Sequence, residues 1–242
     1  MKADELLRRY CAGERDFIGA NLGYVNLNDA DLREINLKNA SLNGINLSNA
    51  NLTNATLSNV NLSGAELNGT LLMGADLSGV NLSDTDLYNV NLSGANLREV
   101  DLSNANLFQA TLENAELSNA NLENANLESA NLKNANLSNA NLSNTNLSNA
   151  NLSNADLSRV NLSGVDLRGA DMSKAYLFEA HLENVDLGAT NLSSAELFKA
   201  NLSSANLEDA NLLGANLRAT NFNNVIFCNT TAPDGSIWND GC

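Results

Sequence analysis

The chain has 242 residues, a formal net charge of −15 and a single histidine. That charge disfavours direct binding to nucleic acid, whose affinity rests on Lys and Arg neutralising phosphates. A lone histidine excludes a His-based metal cluster or proton relay, and with no run of about 20 apolar residues no membrane-spanning helix is expected.

Residues 3–12 read as a short helix. Asp4 suits its N-cap or first turn, Leu6, Leu7 and Tyr10 form an apolar side, and Gly13 suits the stop that follows. The helix is expected to cover one end of what comes after, with Cys11 packed in it as a small apolar residue. The opening stretch MKADELLRRYCAGERDF is too charged for a secretory signal. With only three cysteines, which make no disulfide framework, a soluble cytoplasmic protein is expected.

From Phe17 to Phe227 one pattern repeats every five residues. The stretch ANLFQ ATLEN AELSN ANLEN ANLES ANLKN, from Ala105, shows it most plainly. The central position, i, is Leu, with Phe17, Met172, Phe222 and Phe227 as exceptions. Position i−2 is mostly Ala, otherwise Val, Ile or Thr. Position i−1 is mostly Asn. The following two are mostly Ser, Asn, Gly or charged. An α-helix repeats at about 3.6 residues and a strand at 2.0, so neither keeps all these leucines on one side. A solenoid does, if five residues make one side of a coil. Residues i and i−2 then share the interior, and i−1 points outward. Arg15 stands at an inward position, so the first unit is degenerate, and its head is expected to reach solvent at the end coil. Leu71 falls on an outward position without an evident cause.

These A(N/D)LxN units resemble the pentapeptide-repeat family, over roughly residues 15 to 229. The resemblance implies an all-β solenoid: a right-handed quadrilateral β-helix with four units per coil. Forty-three central positions then give about eleven coils and, at about 4.8 Å per coil, a rod roughly 50 Å long. Three regions are expected: a helical cap (1–14), the β-helix (15–229) and a capping tail (230–242). The helix-plus-tail layout resembles cyanobacterial members.

Outward residues twenty apart then stack on one wall. Stacked Asn side chains can hydrogen-bond along the axis. Stacked carboxylates about 4.8 Å apart repel by about 1 kcal/mol even at the dielectric of water. The wall centred on Leu27 and Leu47 carries Asp29, Glu66, Asp86, Glu128, Asp166, Asp186, Glu208 and Asp209, with Arg168 as its one cation. The neighbouring wall, centred on Leu22 and Leu42, carries Asp84, Asp101, Glu123 and Glu183 and no cation. The expectation is an acidic edge across two walls. Two outward aromatic groups are candidate contact patches: Tyr176 with Phe178 and Phe198, and Tyr88 with Phe108. Simple cross-coil stacking of rings is the competing explanation.

After Phe227 the period ends. Pro233-Asp234-Gly235 is a turn signal, Ile237 and Trp238 are expected to fold over the last coil, and Cys228 and Cys242 bracket the tail. A disulfide between them would pin it, although a reducing cytoplasm works against the bond.

No catalytic constellation emerges. His181 is an outward residue, the glycines follow a turn pattern rather than a phosphate loop, and the cysteines lack metal-ligand spacing. The expectation is a non-enzymatic scaffold or protein-interaction module without cofactor, monomeric or weakly self-associating, with an unknown protein partner. Some members of the resembled family imitate duplex DNA and bind DNA gyrase, protecting it from quinolones. The acidic edge suits that alternative. The sparse carboxylates and the lack of long loops depart from it.

Overall fold

The computed structural model describes all residues, Met1–Cys242. Each five-residue unit makes a short extended step and then a turn. In the turn the C=O of residue i accepts the N–H three positions on, as from Val25 to Leu22 at 3.2 Å. The residue at i+2 carries positive φ in every unit, from Gly19 (67°) to Asn229 (52°). A turn with positive φ at its third residue favours Gly or Asn. This adds a backbone reason for the residues at i+2 to the amide stacking expected there, which runs from Asn144 to Asn124 to Asn104 at 3.3 Å each: no Val, Ile or Thr occupies the position anywhere. Any Cβ at this φ crowds the neighbouring carbonyl, and Val lacks the short polar side chain by which Asn tolerates it, so Asn124→Val should cost about 1–2 kcal/mol. Asn124→Gly relieves the crowding but removes the bonds to Asn104 and from Asn144, so it should cost less than Asn124→Val, and a calorimetric comparison of the two checks this.

Successive coils join by parallel bridges between residues twenty apart, from Asp16↔Asn36 to Asn211↔Thr231. Twenty residues with four turns make a four-sided coil. We refer to the walls by their central residues: the first holds Phe17 and Leu37, the second Leu22 and Leu42, the third Leu27 and Leu47, the fourth Leu32 and Leu52. Nearly every unit ties to the next coil through its main chain. For example, Leu22 and Tyr24 donate to Ser41 and Asn43, and Ser41 donates back to Ala20, all at 2.9 Å.

The core is a column of i and i−2 side chains. Leu107, Leu127 and Leu147 are at most 1% exposed, as are Ala105 and Ala125. Where Thr takes an inward i−2 place, its hydroxyl must find a partner. Thr70, Thr145 and Thr190 each donate to the C=O of a Leu in the previous coil at 2.9 Å.

Helix α1, Ala3–Cys11, covers the first coil. Leu6 and Tyr10 are buried, and the Tyr10 hydroxyl donates to the Arg33 carbonyl at 2.8 Å. Lys2, not Asp4, occupies the N-cap, while Asp4 and Glu5 lie in the first turn, where negative charge favours the helix dipole. Arg15 is exposed, with its guanidinium 3.9 Å above the Tyr10 ring. Cys11 corrects an expectation: it is exposed, because the buried side of the helix is set by Leu6 and Tyr10 and Cys11 lies off it.

At the other end, strands β1 (Thr230–Thr231) and β2 (Ile237–Trp238) pair antiparallel around the Pro233–Gly235 turn. Trp238 meets Phe227 and Phe222 edge-on, with ring centroids 5.0 and 6.5 Å apart. Ile237 does not cover the coil and is 51% exposed. Neighbouring strand residues point to opposite faces, so only one of the two can face inward.

Candidate interaction walls

The walls are built from short side chains that bond mainly to themselves. An outward Asn at i−1 accepts the N–H two residues on through its Oδ1, and often that residue's hydroxyl as well. Ser138 makes both bonds to Asn136, at 3.0 and 2.7 Å. Asn Nδ2 then donates to the residue twenty earlier. On the third wall this runs Asn146 to Asn126 to Asn106 to Asp86, at 3.3, 3.2 and 3.0 Å. The expected amide ladders are therefore present at i−1, and in part at i+2, as from Asn134 to Asn114 at 3.0 Å. They hold the outward amides in one arrangement.

The third wall carries a surface depression of about 640 Å³. Glu128, Asp166, Asp186, Glu208 and Asp209 line it together with the small residues Gly169, Gly188 and Ala189. Asp29, Glu66 and Asp86 lie nearer the helical end and do not reach it. Arg168 sits inside the group. It donates to Asp166 at 2.9 and 2.6 Å and lies 3.9 Å from Asp186. The hydrogen bonds from Arg168 hold the Asp166 carboxyl below the usual aspartate range. A group with a lowered folded-state pKa stabilises the fold above its ordinary pKa, and that contribution fades as pH falls through the lowered value. In a carboxyl NMR titration Asp166 should therefore titrate below ordinary aspartate, and Arg168→Ala should bring it back.

The aromatic candidates fall into two stacks. Phe178 and Phe198 lie 5.8 Å apart at 22°, and Tyr88 and Phe108 lie 6.1 Å apart at 15°. Cations close over the first pair: Arg159 above Phe178, Arg218 above Phe198 and Lys199 near both, at 5.4–5.8 Å. Glu179 in turn binds Arg159 and Lys199, at 3.3 and 3.1 Å. Tyr176 stands apart from this stack, 53% exposed. His181 is outward and lies 3.3 Å from Glu183. The cation cover over the phenylalanines was not anticipated, although Arg159 nineteen residues before Phe178, Lys199 beside Phe198 and Arg218 twenty residues after it were visible as spacing.

Cys228 and Cys242 are bonded through their sulfurs, with Cα atoms 5.0 Å apart. No helix is long and apolar enough to cross a membrane.

A four-sided solenoid of five-residue units, with Leu and Ala inward and Asn outward, defines the class of protein. The sequence model for pentapeptide repeats matches overlapping segments between residues 16 and 231, and the chain belongs to that family. It is similar to HetL, a pentapeptide repeat protein involved in heterocyst differentiation regulation from the cyanobacterium Nostoc sp. strain PCC 7120: 33% identity, covering 98% of this chain and 100% of HetL, TM-score 0.45. It is also similar to a pentapeptide repeat protein of the Arabidopsis thaliana thylakoid lumen: 29% identity, covering 38% of this chain and 65% of that one, TM-score 0.37. A third similarity is to QnrB1, a plasmid-mediated fluoroquinolone resistance protein: 20% identity, covering 86% and 92%, TM-score 0.30. No curated protein matches the chain.

Proposed function

We propose that the protein is a non-enzymatic, cytoplasmic scaffold: a right-handed rod of about eleven coils that presents a fixed protein-binding surface. The observation that carries this reading is the use of the outward side chains. Asn and Ser are bonded to their own turn and to the next coil, so partner groups meet a preorganised wall, and preorganisation lowers the entropy cost of binding. The test is capture from the source cell by wild type and by four variants, each with charges reversed on one wall. A partner lost with one wall only is the expected result. Capture that is indifferent to all four walls would contradict a wall-based interaction module.

A second reading, an acidic DNA mimic directed at an enzyme such as gyrase, is favoured by the gathering of five carboxylates in the third-wall depression. Clustered negative charge steers association toward a basic groove. Arg168, within the cluster, reduces that charge. Purified gyrase in a DNA supercoiling assay separates the two readings. Salt-sensitive inhibition that is lost when Asp86, Asp166 and Asp186 become Asn supports mimicry, and no effect at micromolar protein removes it.

A further inference from the structure

The ties between coils are not uniform around the rod. On the fourth wall every i and i+2 N–H from Leu32 to Gly214 reaches the next coil. The first wall lacks such a bond only at Asn59, at its corner with the second. All the other missing bonds lie on the second and third walls, at two heights. At the first height the amides of Gly64, Leu67 and Asp86 make no main-chain hydrogen bond to the neighbouring coil, while Leu62 and Asn81 keep the Asn61↔Asn81 bridge. At the second the amides of Asn144 and Gly164 lack one, but the Asn141↔Asn161 and Asp166↔Asp186 bridges are kept, and with them the ties of Leu142, Asn161 and Asp186.

Two independent observations mark the first height. Glu66 and Asp86 are the one pair twenty apart that makes no bridge between Asp16 and Thr231. Thr85 also departs from its class. The other inward threonines donate to a Leu carbonyl twenty-three residues earlier, whereas Thr85 turns to Ser83 in its own turn at 3.2 Å. Its regular acceptor would be Leu62, on the far side of the gap.

The amide ladder supplies the cause. Glu66 accepts from Asn46 on one side at 2.6 Å, and Asp86 accepts from Asn106 on the other at 3.0 Å. Two carboxylates, which can only accept, therefore face each other with no donor between them. The other stacked acid pair on this wall, Asp166 and Asp186, keeps its bridge, and there Arg168 supplies the donors.

We propose that the first height is a one-sided hinge, at which the rod bends by opening its acidic edge while the fourth wall stays bonded. The rod is then two stiff segments rather than one. Local opening of this kind appears as fast exchange of the amides that lack partners. The test is residue-resolved hydrogen exchange on the full chain. Leu67 and Asp86 should exchange at least about tenfold faster than Leu72 and Leu152 of the fourth wall. Equal protection around the ring would overturn the hinge. Glu66→Asn gives the facing pair a donor and should slow exchange at Leu67 at least about tenfold, leaving Leu142 unchanged. Asn68→Arg, which copies the place of Arg168, should do the same. Unchanged exchange at Leu67 in both folded variants would overturn the carboxylate origin of the hinge.

Discussion

Leu127→Ala lowers the free energy of unfolding by about 2–5 kcal/mol, the range for a large-to-small change that leaves a cavity. Leu127 is wholly buried and stacks in the column with Leu107 and Leu147. Neighbouring coils cannot close the gap, because each is held at its own height by main-chain bonds on both sides, as from Leu127 to Asn146 at 2.8 Å. In a stacked fold the loss falls on one coil and its two interfaces, and it is felt by the whole rod only as far as the coils unfold together. Ser138→Ala changes stability by less than about 0.5 kcal/mol, because that hydroxyl only doubles a bond which the Ser138 N–H already makes to Asn136. Urea unfolding of both variants checks the pair, and equal effects would contradict the assignment of inside and outside.

The second large effect is expected at the tail. Cys228 and Cys242 close a loop with a sequence separation of 14, for which the chain-entropy model gives about 3 kcal/mol. The loop holds Trp238 against Phe222 and Phe227. Reduction, or Cys242→Ser, should therefore loosen this end while the middle of the rod keeps its protection. Trp238 is the only tryptophan, so its emission should move to longer wavelength with thiol reductant, at a denaturant concentration that leaves the far-ultraviolet circular dichroism unchanged. Emission indifferent to reductant would mean that aromatic packing alone holds the tail.

Most of the architecture was legible because a five-residue period is incompatible with the helical and strand periods and forces a side of a coil. Inward Leu and Ala, outward Asn and the covering roles of Tyr10 and Trp238 follow from that period and from local chemistry. Four sides came from the family resemblance, and the bridges between residues twenty apart now carry it. The positive φ at i+2 was not legible, because Asn serves both a left-handed turn and a ladder, and Asn104, Asn124 and Asn144 do both. Composition alone does not separate the two.

The surface was legible in parts. Sorting residues by twenty placed the acidic walls and paired Phe178 with Phe198. It did not reveal that Arg168 divides the acidic group or that Arg159, Lys199 and Arg218 cover the phenylalanine rings, because those contacts depend on where long side chains lie. Nor did it show that Glu66 and Asp86 part their coils while Asp166 and Asp186 do not. That difference turns on whether a donor lies between the two acids, which a charge count does not record.

Double-cysteine cross-linking in a Cys11→Ser background tests the geometry most directly. A disulfide needs Cα atoms about 4.4–6.8 Å apart, so Ser118→Cys should bond readily to Ser138→Cys, twenty residues on. It should bond neither to Lys133→Cys nor to Ser143→Cys. Closure at 133 would mean three sides to the coil, closure at 143 five, and either would contradict the square rod.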